Sequence, residues 1–209
     1  MNTIHIPGYT NETHLQDLAD TISSLRPNSR ILEIGCAYGR STCCILDHLT
    51  PGSTLTTVDT FAHIKVSKMY KSNHKKYQRM GVKMPKELAH NLEMLKQKGH
   101  RGFYDWITQQ HPNHTQHSTH EMTSVEYMKM YHMEQYDCVY LDGDHTYDTV
   151  SKELAHYELS TVLCGDDWGP AHPGVTQAVN ELRQRCETRV WQEPKLHLRS
   201  GFWSLTKTA

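Results

Sequence analysis

Asp142, Asp144, His145 and Asp148 crowd into "VYLDGDHTYD", directly after an apolar run, and Asp166 and Asp167 end a second such run in "STVLCGDDW". A charge at the end of a core strand costs free energy unless something pairs with it. Carboxylates gathered at one place also repel one another unless a cation neutralises them. Asp142, Asp166 and Asp167 are therefore candidate ligands of a hard divalent ion, which prefers oxygen donors and keeps positions open for water or substrate. Mg2+ is the leading candidate, with Mn2+ or Ca2+ as alternatives. Helix capping and loop solvation are the plainer explanation. They suit Asp144 and Asp148 best, because both precede or open the next helix, where negative charge is favourable. His145 follows Asp142 by three residues and titrates near neutrality, which suits a general base.

These residues need a scaffold that brings strand ends together. "RILEIG" reads as a short buried strand, "STCCILDHL" as a helix and "STLTTVD" as a second strand ending at Asp59, a β-α-β unit with short loops. Ahead of it, Leu15, Leu18, Ile22 and Leu25 recur at helical spacing. Further on come a weak strand near 114–119, a helix near 123–133, the strand "YDCVYLD", the helix "TYDTVSKELAHY", the strand "STVLCGDD" and the helix "PGVTQAVNELRQR". "TRVWQE" and "GFWSLTK" close the chain as two strands too near one another for a crossover, so they should pair antiparallel. The alternation predicts an α/β fold, a doubly wound sheet with a terminal antiparallel strand. Ligands of such sheets bind at the carboxyl ends of the strands. Glu33, Gly35, Asp59, Asp142, Asp166 and Asp167 all fall there.

The chain has 209 residues, which predicts one domain over 1–209. Mean hydropathy is -0.68, polar for a buried sheet. The excess polarity concentrates in 62–110, where Lys65, Lys68, Lys71, Lys75, Lys76, Arg79, Lys83 and Lys86 occur with almost no acids between them. This stretch reads as a helical insertion after the second strand. It could serve as a lid over the site, attract an anionic acceptor, or be only a solvated face. A formal net charge of -1 argues against a nucleic-acid binder. No apolar run approaches the ~20 residues that cross a bilayer, and no secretory signal pattern opens the sequence. The six cysteines form no C-x-x-C and sit mostly in apolar runs, so a reducing, cytoplasmic setting without disulfides is expected. His111, His114, His117 and His120 recur every three residues. A strand of period two would turn them to opposite faces, so they do not make a metal site.

The loop "ILEIGCAYGRST" places Gly35 and Gly39 between strand and helix, where glycine permits a tight turn and close approach to a ligand. Ala37 stands where a dinucleotide loop would carry its central glycine, which disfavours a NAD-dependent dehydrogenase. Glu33 would attract an amine or sulfonium, and Asp59 can accept hydrogen bonds from a ribose diol.

Together these features resemble the class I S-adenosylmethionine (SAM) methyltransferases and their Rossmann-like fold. The resemblance covers nearly the whole chain outside the insertion. It implies that Glu33, Gly35, Gly39 and Ser41 hold the methionine part of the cofactor, with Ser41 at its carboxylate. It also implies that Asp59 holds the ribose, and that Glu121, Met122 and Thr123 line the adenine. "LDGDHTY", "GDDW" and "PGV-x-x-AV" are similar to the metal-dependent macrocin and mycinamicin sugar O-methyltransferases, and more distantly to the rhamnose methyltransferases of algal-virus glycans. That likeness implies metal ligands at Asp142, Asp166 and Asp167, where the second is often Glu, and a base at His145. Catechol-type relatives carry lysine at the base position. A sugar hydroxyl is much less acidic than a catechol, which is a physical reason for the histidine. Trp168 and Tyr9 are candidates to pack on a sugar face.

The expected activity is SAM- and metal-dependent methylation of a sugar hydroxyl, with a sugar or small-molecule acceptor as partner. Catechol-type O-methylation and a non-catalytic SAM-binding module are the alternatives. A homodimer is compatible with the sequence.

Overall fold

A computed structural model describes residues 2–62, 65–186, 195–196 and 200–207. A parallel sheet supplies most of the frame. Its strands are β1 (Arg30–Ile34), β2 (Thr54–Asp59), β3 (His117–Glu121), β4 (Cys138–Leu141), β5 (Val162–Gly165), β6 (Lys195–Leu196) and β7 (Trp203–Thr206). They lie in the order β3-β2-β1-β4-β5-β7-β6, and β7 runs antiparallel to both its neighbours. This is the expected α/β sheet with its terminal antiparallel strand. The segment "TRVWQE" lies outside the described residues.

The helices are α1 (Glu12–Ser23), α2 (Arg40–Asp47), α3 (Val66–Met80), α4 (Lys86–Gln109), α5 (Ser124–Met130), α6 (Tyr147–His156) and α7 (Pro173–Cys186). Central strands are buried on both faces, and alternate residues serve opposite layers. Leu32, Val139, Leu163 and Leu205 pack toward Val150 and Leu154 of α6 and Val175 and Val179 of α7. Ile31, Cys138, Tyr140 and Cys164 pack toward Leu15, Leu18 and Ile22 of α1 and Ile45 of α2. Glu33 shares the second face, which brings its carboxylate to α2.

β3 begins at His117 after a short 3-10 turn over His114–Gln116, later than expected. Its residues are polar because it is an edge strand, paired only with β2. The histidine run disperses. His111 bonds the Asp47 carboxylate, His117 joins Thr57 and Tyr104, and His120 packs on Tyr127 and Tyr131.

The stretch 62–110 does not behave as one insertion. Gly99 (φ 74, ψ -174) breaks α4. Beyond that break Phe103, Tyr104 and Ile107 are buried, so this half serves as the crossover from β2 to β3. The excursion proper is α3 with the first half of α4, held by Met69, Leu88, Leu92 and Leu95. Its outer face is basic, and α3 contains no acid. Cys36, Cys43, Cys44, Cys138 and Cys164 are buried free thiols. Among the described residues no helix is long and apolar enough to cross a membrane.

Candidate functional site

The strand order reverses between β1 and β4, and the turn after β1 lies against the turn after β4. Gly35 (φ 87) makes that contact possible: a Cβ there would lie 2.1 Å from the Asp142 carbonyl oxygen. Gly35 N–H donates to Val58 O (2.9 Å) and Asp142 N–H to Ile34 O (2.8 Å), tying the three strand ends together. Gly39 (φ 87) then caps α2.

Glu33 is fully buried and accepts hydrogen bonds from Ser41 Oγ (2.5 Å) and Thr42 Oγ1 (2.6 Å). Burial pushes its carboxyl up to about 7, against the opposing effect of those two hydroxyls. The Ser41 hydroxyl is thus engaged with Glu33. Asp59 spans the loop above: Oδ2 accepts from Ala37 N–H (2.9 Å) and Oδ1 from Phe61 N–H (2.6 Å). Each oxygen keeps a lone pair for a ligand hydroxyl. His100, just past the break in α4, bonds the Ala37 carbonyl through Nε2 (2.9 Å) and packs on Tyr38 and Phe61.

Met122 N–H donates to Asp59 O (3.1 Å), which seats Met122 beside Asp59. Thr123 is exposed and forms a capping box with Glu126 at the start of α5. Its hydroxyl is occupied locally.

The acid rim occupies the next strand ends. Asp142 lies 3.2 Å from the Tyr140 hydroxyl, which donates to its Oδ2. Burial, then repulsion from Asp166, Asp167 and Glu33, holds the Asp142 carboxyl well above the usual range. Asp166 Oδ1 accepts from Asp167 N–H (2.6 Å). Asp167 has a positive φ of 65. Its two oxygens face two histidines, His145 Nε2 at 2.7 Å and His172 Nε2 at 3.2 Å. The hydrogen bond to Asp167 raises the His145 pKa. Burial would raise Asp167, but that bond and the positive charges of His145 and His172 pull it below the usual range.

Asp144 serves the helix, accepting from Thr146 N–H (2.8 Å) and Thr149 Oγ1 (2.9 Å) at the start of α6. Trp168 packs partly buried against the core, and its backbone N–H donates to Gly201 O (2.9 Å). Tyr9 is 60% exposed and lies on the side of Tyr38, next to the glycine loop rather than among the rim acids described above.

Two residues of the rim escaped the sequence reading. His172 stacks edge-on against His145, ring centroids 4.5 Å apart. Among the described residues, His145, Asp167 and His172 are the trio whose ligand atoms all lie within 4.8 Å of one another. His14 is buried beneath the rim, between Asp166 and Tyr140. Neither has a sequence signal beyond its residue type. His172 precedes the proline that opens α7, and His14 looks like a polar interruption of an apolar stripe.

Solved structures with the same fold include the O-methyltransferase from Bacillus cereus in complex with SAH (12% identity, TM-score 0.55, 95% of this chain and 83% of that one). They also include the O-methyltransferase TomG from Streptomyces achromogenes, involved in tomaymycin synthesis, in complex with SAM (15% identity, TM-score 0.53, 96% and 82%). A third is the SAH-bound methyltransferase PaMTH1 of Podospora anserina (13% identity, TM-score 0.52, 96% and 80%). No curated protein sequence matches significantly. Residues 32–160 match the family described as "Methyltransferase domain", a span that runs from β1 through α6 and holds Glu33, the glycine loop, Asp59, Asp142 and His145. On that match, the chain belongs to the methyltransferase-domain family.

Proposed function

We propose that the protein is a SAM-dependent O-methyltransferase whose acceptor is a sugar hydroxyl and whose acid rim holds a divalent metal ion. The observation that carries the reading is the position of Asp142, Asp166 and Asp167 at the ends of the adjacent strands β4 and β5, across the sheet's reversal from the glycine loop; the ligand atoms that converge within 4.8 Å there are those of His145, Asp167 and His172.

The donor set suits a hard cation. Three carboxylates offer oxygen ligands, and a bound cation would offset both the burial and the repulsion from Asp166 and Asp167 that raise Asp142. His145 and His172 both face the Asp167 carboxylate. When bound, a divalent ion would act as a Lewis acid that makes a coordinated hydroxyl easier to deprotonate. SAM would supply an electrophilic methyl group on a sulfonium.

The chain's own residues do the rest. Glu33 underlies the glycine loop as a buried anion for the cofactor's ammonium, with Ser41 and Thr42 holding its carboxylate in place. Asp59 accepts the ribose hydroxyls. Met122 and Thr123 flank the adenine. Asp142, Asp166 and Asp167 set the position of the acceptor's neighbouring hydroxyls. His145, whose Nε2 is held by Asp167, takes the proton of the reacting hydroxyl at its other ring nitrogen, Nδ1. The oxygen then forms its bond to the methyl carbon as the carbon–sulfur bond breaks, leaving S-adenosylhomocysteine neutral at sulfur. Positioning of this kind supplies effective molarities of ~10^5 M or more. Trp168 is the aromatic candidate for the sugar face, and the basic excursion over 66–98 is the candidate lid.

The test is S-adenosylhomocysteine release with rhamnosides, other glycosides and catechols, each with Mg2+ and with EDTA. Turnover of a glycoside that EDTA abolishes is the expected result. EDTA-resistant turnover would sink the metal reading, and turnover of catechols alone would sink the sugar reading.

A further inference from the structure

His14 has no exposed surface, yet it carries two polar nitrogens into an otherwise apolar face of α1. Leu15, Leu18, Ala19 and Ile22 on that helix are core residues. A buried imidazole must find partners, and those available are unusual. Nδ1 lies 3.2 Å from Asp166 Oδ1, off the direction of a full hydrogen bond. Nε2 lies 2.9 Å from the Tyr140 hydroxyl, which in turn donates to Asp142 Oδ2 at 3.2 Å. One side chain from the first helix thus reaches the terminal carboxylates of two strands, β4 and β5. The ring is itself fixed, edge-on to Phe202 at 5.0 Å and to Tyr140 at 5.8 Å. The backbone N–H of His14 donates to the Asn11 cap (2.9 Å), which anchors the helix turn that presents it.

We infer that His14 is a positioning residue for the acid rim: it holds the Asp142 carboxylate through Tyr140 and stands against the Asp166 carboxylate, so that both present their free oxygens to one cation. The inference rests on the metal reading proposed above. A core histidine with a merely structural part would be expected to meet backbone carbonyls or a single acceptor. His14 instead lies against one proposed ligand and bonds the hydroxyl that holds a second. Partners that orient ligands in this way typically change metal affinity by ~10–100-fold.

The test separates the two nitrogens. Asparagine places an amide nitrogen near the Nδ1 position, and glutamine places one near Nε2. Mn2+ binding to the cofactor-free protein is followed by electron paramagnetic resonance of the free ion, with S-adenosylhomocysteine affinity and thermal melting measured alongside. His14→Ala is expected to weaken Mn2+ by ~10-fold or more, with S-adenosylhomocysteine affinity unchanged. His14→Gln should recover most of the loss by restoring the partner of the Tyr140 hydroxyl, His14→Asn should recover less, and Tyr140→Phe should reproduce most of it. Wild-type Mn2+ affinity in His14→Ala would overturn the inference. So would parallel loss of Mn2+ and S-adenosylhomocysteine binding in both His14→Ala and His14→Gln, which marks a fold defect. Asp166→Asn distinguishes the levels. If it abolishes Mn2+ binding while His14→Ala does not, only the role of His14 falls. If the wild-type protein binds no Mn2+, the metal reading falls and takes this inference with it.

Discussion

Replacing Gly35 with alanine places a methyl group where the sheet has no room. The backbone sits at φ 87, and the new Cβ would stand 2.1 Å from the Asp142 carbonyl oxygen and 2.6 Å from Gly143 Cα. Both obstacles are main chain, so no rotamer change relieves them. The left-handed conformation costs about 1–2 kcal/mol for an L-residue, and forcing two strand ends apart adds roughly 1–3 kcal/mol. Together these are on the order of 2–5 kcal/mol, which for a domain of this size lowers Tm by about 5–15 °C. Gly39 is the internal control. Its φ is also 87, but its Cβ would meet only side-chain atoms of Ile107 and Tyr104 at 3.2 and 3.3 Å. Gly39→Ala should therefore show the conformational cost alone, about 1–2 kcal/mol and a few degrees. Thermal melts give the stabilities, and calorimetric titration with S-adenosylhomocysteine reads the loop. Gly35→Ala should also lose cofactor affinity, because the moved segment carries Asp142 on one side and the glycine loop on the other. A Gly35→Ala melt no lower than that of Gly39→Ala would refute the steric argument.

Glu33 makes the cofactor-free protein pH-sensitive. Its carboxyl is raised to about 7 from 4.5, so its contribution to stability is present below pH ~4.5 and is lost as pH rises through 7. Glu33→Gln should thus gain Tm relative to wild type between pH 5 and 8, and a difference constant with pH would contradict that. Cofactor binding should run the other way, strengthening as Glu33 ionises, and calorimetry across the same range should find the trend flattened in Glu33→Gln. His145→Ala should lower kcat by ~10^2–10^4-fold with little change in S-adenosylhomocysteine affinity, whereas an unchanged kcat would remove His145 from the chemistry. Asp167→Asn should release both rim histidines and lower the His145 pKa, which NMR titration of the imidazole resonances in metal-free protein can follow; an unmoved His145 would mean that Asp167 is not its main partner.

Much of the frame was legible because each central strand is a short apolar run that stops at a chemically distinct residue. Glu33, Asp59, Asp142 and Asp166 mark the four parallel strand ends that surround the site, and the short loops leave few ways to connect them. The glycine loop was legible because its conformation depends on glycine itself. The less legible features depend on tertiary contact. β3 has no apolar alternation, since an edge strand of histidine, serine and threonine answers to one neighbour only. The end of the excursion is set by a single glycine inside a continuous helical pattern, so nothing in the periodicity separates cap from crossover. His14 and His172 lie far in sequence from the acids they face, and only the sheet brings them together. The local roles of Asp144 and Thr123 followed from helix-start chemistry, which acts within a few residues.

The basic excursion has a consequence for how the molecule behaves in bulk. Residues 65–86 hold eight of the 22 lysines and arginines and none of the 23 acids. The net charge of -1 therefore conceals a basic excursion and an acidic remainder of the chain. Such a protein should bind a cation exchanger near pH 7.0, its own isoelectric point, through one face only. In dilute buffer, where the screening length grows to ~30 Å, the same asymmetry favours head-to-tail association, and about 0.15 M salt should return it to its smallest species.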